Sequence, residues 1–101
     1  MQKKFEYIKC YWKYIDDETP VILFYEVDLE NGRYATRMTE IFNNRKSIPV
    51  DDGFEFVTEA PVPEIGTINQ EKEFYAQIIT KEEFELVYNC IFYTGNIDFP
   101  V

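Results

Sequence analysis

The chain has no histidine and a single serine, Ser47. Without histidine it lacks the one side chain that ordinarily titrates near neutral pH, which is the usual general base and the commonest transition-metal ligand. Ser-His and Cys-His nucleophiles are therefore excluded. The two cysteines, Cys10 and Cys90, cannot complete a structural zinc site on their own. Four scattered glycines (Gly32, Gly53, Gly66 and Gly95) make no phosphate-cradling loop. No apolar run approaches the roughly 18–20 residues that cross a bilayer. The basic start, Met1-Gln2-Lys3-Lys4, is followed by alternation that includes polar residues, not by the apolar core of a signal peptide. These absences predict a cytoplasmic, non-catalytic chain with reduced thiols, no disulfide, no metal and no cofactor.

Bases are scarce beyond residue 46. Residues 1–46 hold eight acids and eight bases, whereas residues 47–101 hold eleven acids and two bases, Lys72 and Lys81, and carry the whole net charge of −9. Such a chain repels nucleic acid and anionic membrane and attracts basic protein surfaces. Asp51-Asp52-Gly53 resembles part of a calcium loop, and Glu59 stands six residues after the glycine, but the alternating ligands before it are missing. Among 19 acids some pair is always close, so paired carboxylates say little about hydrolysis.

What is abundant is aromatic and apolar. Hydrophobic residues make up 46% of the 101 positions and aromatics 18%, enough for the core of one domain over 1–101. Residues 5–15 alternate with period two. Ile8, Cys10, Trp12 and Tyr14 share one face; Tyr7, Lys9, Tyr11 and Lys13 share the other, which is the more polar and is expected outward. Residues 21–29 form a second strand, apolar on both faces at its start and hence central. Asn31-Gly32 predicts a two-residue type I′ turn into a third strand over 33–42. Phe54 to Val57 reads as a fourth strand, reached through Asp51-Asp52-Gly53. Ala60-Pro61-Val62-Pro63 predicts an extended linker across the sheet edge. Residues 69–74 suggest a helical turn, and 75–79 fit either a short strand or a connector. Thr80-Lys81-Glu82-Glu83 matches a capping box. Phe84, Val87, Tyr88 and Ile91 then repeat at helical spacing, which predicts a helix from 81 to about 93, stopped near Gly95. Phe99 and Pro100 offer a tail that docks back. The expected fold is α+β: an antiparallel meander of three to four strands covered on one face by the C-terminal helix.

Tyr7, Tyr11, Phe24 and Tyr34 are interleaved with Lys9, Lys13, Arg33 and Arg37, a composition that can stack bases. The net charge favours the plainer reading, with the aromatics as core and the bases as solvated rim.

The ordered pieces Tyr7-Ile8-Lys9 with Trp12, Asp17-Glu18-Thr19-Pro20, Leu23-Phe24-Tyr25-Glu26-Val27-Asp28, and Arg37 with Glu40-Ile41-Phe42 resemble a known family. So do Ala60-Pro61-Val62-Pro63, Ile68-Asn69, Glu73-Phe74 and Ile79 through Glu85. Together, over about 7–88, they resemble the small, uncharacterised bacterial family DUF6881. The family pattern has a histidine where this chain has Tyr14, and an Asp-Gly turn where it has Asn43-Asn44. The resemblance transfers no chemistry. It implies a stand-alone cytoplasmic bacterial protein of the kind found among polymorphic-toxin immunity proteins.

Charge and resemblance together suggest an immunity protein that binds a cognate toxin, such as a nuclease with a basic cleft, by electrostatically steered association. The first candidate interface is Asp51, Asp52, Glu55 and Glu59 with Phe54 as a buried anchor. The second is Glu82, Glu83 and Glu85, although Glu82 and Glu83 also suit the positive end of the helix dipole. The third is Asp16, Asp17 and Glu18. Two alternatives stay open: a non-catalytic regulatory module that binds another protein, and a small-molecule enzyme using carboxylates, which would need a deep pocket and shifted carboxyl groups. Homodimerisation through strand edges is also open.

Overall fold

Period-two alternation in the first forty-odd residues builds a sheet. In the computed structural model, which describes residues 4–50, 57–58 and 60–100, the strands are β1 (Phe5–Trp12), β2 (Ile22–Asp28), β3 (Tyr34–Ile41), β4 (Ser47–Val50) and β5 (Phe74–Ile79). They form one antiparallel sheet in the order β4-β3-β2-β1-β5. Two helices complete the chain, α1 (Ile65–Ile68) and α2 (Lys81–Tyr88). The expected α+β class holds, with an antiparallel sheet partly covered by the C-terminal helix. The fifth strand comes from the segment that fitted either strand or connector. The fourth is Ser47–Val50; of the span expected to form it, residues 54–56 lie outside the described residues. The helical turn expected at 69–74 falls earlier, at α1.

β2 is central, and both its faces are buried. Ile22 and Phe24 join Tyr7, Tyr11, Ile41, Phe84 and Val87 in one apolar cluster, while Leu23 and Val27 join Ile8, Cys10, Ala35, Val62 and Ala76 in a second. The β1 face expected outward is therefore interior. Tyr7 and Tyr11 are buried beneath α2 and the 93–99 segment, and Lys9 is only 7% exposed. The Lys9 ammonium sits 4.7 Å from the Tyr11 ring centroid, 5.5 Å from that of Tyr93 and 5.9 Å from that of Phe24. Its alkyl stem packs like an apolar chain while the charge meets π faces. Burial alone would pull its pKa down, but hydrogen bonds with the Tyr11 and Tyr93 phenols outweigh that and hold it above the usual lysine value.

The first hairpin departs from the two-residue turn. Positive φ falls on Gly32 (68°) and Arg33 (65°), one position later than Asn31-Gly32. Asp28 sets the longer loop: its carboxylate accepts from Glu30 N (3.0 Å) and Asn31 Nδ2 (2.7 Å), and its carbonyl accepts from Asn31 N and Arg33 N. An Asp side chain that bonds the following amides competes with the tight turn in this way.

Both sheet edges carry a device that limits further pairing. On β4, Ser47 N donates outward to Ile91 O (3.1 Å), and the next outward position along the strand is Pro49, which has no amide hydrogen. On β5 the Asn69 side chain acts as a short strand: its Oδ1 accepts from Ala76 N (2.6 Å) and its Nδ2 donates to Ala76 O (3.0 Å). We expect Asn69→Ala to lower unfolding free energy by about 1–3 kcal/mol, read as a fall in the urea midpoint. An unchanged midpoint would show that water replaces both bonds.

α2 starts as its cap predicts, with Thr80 Oγ1 accepting from Glu83 N at 3.1 Å. It ends at Tyr88, short of 93. Asn89 closes it, donating both N and Nδ2 to Glu85 O. Ile91, expected on the apolar face, is 85% exposed. The chain turns there to run beside β4, with Tyr93 N donating to Arg45 O (2.8 Å). Gly95 is not the helix stop; it makes room for the Tyr93 ring, which a Cβ at that position would strike. Ile97 and Phe99 dock on the first cluster. Cys10 is buried, Cys90 is half-buried, and both thiols are free.

Candidate functional site

The fold engages the strongest cations internally. Arg33 donates to Glu6 Oε1 (2.9 Å), Val62 O (2.8 Å) and Pro63 O (3.2 Å). Arg37 lies between Glu26 and Glu85. Arg45 donates to Tyr93 O (3.2 Å) and Gly95 O (2.6 Å). Lys9 is buried among rings. The exposed bases among the described residues are five lysines, facing ten exposed acids.

Five of those acids lie in two neighbouring segments at one end of the sheet. Trp12 pairs with Phe74, and Lys13 N donates to Glu73 O (2.9 Å), so the β1–β2 loop lies beside the turn that leads into β5. The loop supplies Asp16, Asp17 and Glu18, and the turn supplies Glu71 and Glu73, all exposed. Within the loop, Asp16 Oδ1 accepts from Glu18 N (3.0 Å) and Thr19 Oγ1 (2.9 Å), while Asp17 Oδ1 accepts from the Tyr14 phenol (2.9 Å). The bond to Asp17 raises the Tyr14 pKa. Tyr14 (56% exposed), Ile15 (61%) and Tyr75 (42%) place apolar surface among these carboxylates.

The other expected site residues fare differently. Asp51, Asp52, Phe54, Glu55 and Glu59 lie outside the described residues. Glu82 and Glu83 are exposed in the first turn of α2, at the far end of β5 from Glu73. A six-residue strand separates the two groups by roughly 15–20 Å. Glu85 turns toward Arg37 (2.5 Å), whose hydrogen bonds hold its carboxyl below the usual range. Glu71 and Glu73 were missed in sequence because their place depends on β5 pairing with β1, and nothing local announces that. The aromatics considered for base stacking divide: Tyr7, Tyr11 and Phe24 are core, as the plainer reading had it, but Lys9 is buried with them and is no solvated rim.

A second concavity lies on the sheet face away from α2. Tyr25 and Met38, a cross-strand pair, and Phe74 line it from the sheet. Val57, Thr58 and residues 60–63, with Thr67 and Ile68, form the wall of a cavity of about 640 Å³. The wall is tied to β3, with Val57 N donating to Ala35 O (2.9 Å), Ala35 N to Thr58 Oγ1 (3.0 Å) and Val62 N to Arg33 O (2.7 Å). Nearby, burial pushes the Cys10 thiol up to about 12 and raises the Tyr25 phenol and the Glu40 carboxyl. Among the described residues, no three His, Cys, Asp or Glu side chains group to hold a metal, and no helix is long and apolar enough to cross a membrane.

No curated protein and no solved structure matches the chain. The sequence model of the domain of unknown function DUF6881 matches residues 6–92, nearly the whole of the 101, so the chain belongs to that family.

Proposed function

We propose that this protein works by binding a basic protein surface, as an immunity protein that neutralises a cognate toxin. The reading is supported by one observation: the neighbouring β1–β2 loop and turn before β5 carry exposed carboxylates together with exposed Tyr14 and Ile15, with exposed Tyr75 following in β5, while every arginine is engaged internally. Such a surface accelerates encounter with a cationic cleft through its field and holds the complex through its apolar anchors. A nuclease that grips a polyanion presents such a cleft.

The test is co-expression with the product of the adjacent upstream gene, scored by growth rescue and co-purification. If that product is toxic and bound, converting Asp16, Asp17, Glu18 and Glu73 to their amides is expected to slow association about tenfold or more at low salt and to flatten its salt dependence. Tyr14→Ala is expected to act mainly on dissociation. A harmless neighbour that does not bind sinks the immunity reading. Binding with an unaltered on-rate in the amide variant would move the interface elsewhere on the chain.

A further inference from the structure

The cavity opposite α2 touches that acidic end of the sheet at Glu71, and it is a built feature of its own. Its wall is pinned to β3 by backbone bonds at Ala35 and Arg33, and Arg33 adds side-chain bonds to the carbonyls of Val62 and Pro63. At about 640 Å³ it lies within the size range of pockets that hold small organic ligands. Its lining is mostly apolar: Tyr25, Met38 and Phe74 on the sheet side, and Val62, Pro63 and Ile68 opposite. Among the described residues, the one charged lining residue is Glu71, in the turn before β5. Tyr25 is half-buried, and burial raises the pKa of its phenol.

We propose that this cavity is a binding site for a small aromatic amine, whose apolar body rests on Tyr25, Met38 and Phe74 and whose ammonium meets Glu71. Three physical terms select that class. Apolar area removed from water favours the ring system, and thioether and aromatic faces suit it in particular. A carboxylate at the edge of an apolar pocket, in a chain of net charge −9, draws cations and repels anions. The faces of Tyr25 and Phe74 add attraction for a cation and none for an anion.

The experiment titrates the full chain with two fluorescent aromatic probes, thioflavin T (cationic) and ANS (anionic). Thioflavin T is expected to bind at least about tenfold more tightly than ANS. Glu71→Gln should weaken it about five- to tenfold, the loss of one partly exposed charge contact. Met38→Trp should fill the cavity and abolish binding. In case that variant does not fold, amide shift mapping on the unmodified chain is the second measurement, with shifts expected at Val62, Ile68 and Phe74. No binding by thioflavin T, equal or tighter binding of ANS, indifference to Glu71→Gln, or shifts confined to other faces would each overturn the proposal.

Discussion

Replacing Arg37 with alanine is expected to lower the unfolding free energy by about 3–5 kcal/mol, the usual cost of stranding a buried charge. The stranded group is Glu26, which is 7% exposed. Its carboxylate accepts from the Tyr7 phenol (2.9 Å), Thr36 Oγ1 (2.7 Å), Arg37 Nε (3.0 Å) and Arg37 Nη2 (2.7 Å). Without the guanidinium, two hydroxyl donors remain and no cation. Arg37 also bonds Glu85 on α2 and lies over the rings of Phe84 (5.1 Å) and Tyr88 (4.9 Å), so it is the polar tie between β3 and the helix. Urea denaturation followed by circular dichroism reads the loss. Glu85→Gln is the contrast: that partner is more exposed, and the expected change is within about 1 kcal/mol. An Arg37→Ala loss below about 1 kcal/mol would mean that water reaches Glu26 and supports its charge.

The same pair sets a pH signature. Burial raises the Glu26 pKa, but hydrogen bonds from Arg37, Thr36 and Tyr7 outweigh it and hold the carboxyl below its usual value. A depressed folded pKa means stability that is fully present above the unfolded pKa, near 4.3, and is lost as pH falls through the folded value. In Arg37→Ala the sign reverses, because an unpaired buried carboxylate gains by taking a proton. The deficit of the variant should therefore be largest near neutral pH and shrink below about pH 4. Glu40, raised by burial, gains stability as it is protonated in both proteins and so cancels from the comparison. A deficit that stays constant across the acid range would contradict the assignment of the lost stability to Glu26.

Local chemistry was legible in the sequence and long-range placement was not. The Thr80 cap needs only its own turn, and it was read correctly. The end of α2 was not, because Ile91 continues the apolar period while the stop comes from Asn89 folding both its donors onto Glu85. Lys9 in an alternating strand marks a polar face by every local rule. Only α2 and the 93–99 segment, packing from the other end of the chain, turn that face inward. The candidate site shows the same division. Asp16 to Glu18 were visible as an acidic turn, but Glu71 and Glu73 join them only because Trp12 pairs with Phe74. Glu85 reads as one more surface acid until β3 places Arg37 opposite it.

Truncating Phe84 to alanine is expected to cost about 3–5 kcal/mol as well, through lost burial and the cavity left behind. Phe84 is fully buried, tilted against Tyr7 at 5.3 Å and stacked on Tyr88 at 5.6 Å. α2 has eight residues, far too few to be helical in isolation, so its order depends on this contact. Far-UV circular dichroism and Trp12 fluorescence should accordingly report one transition. Phe84 and Arg37 share the same junction, since the guanidinium lies on the ring, and their effects should not add. Domains of this kind hold only about 5–15 kcal/mol in total, so the cycle needs milder substitutions, Phe84→Leu and Arg37→Gln. The double variant is expected to lose about 0.5–2 kcal/mol less than the sum of the singles. Strict additivity would show that the ring and the ion pair hold α2 to the sheet independently, and that Arg37 serves Glu26 alone.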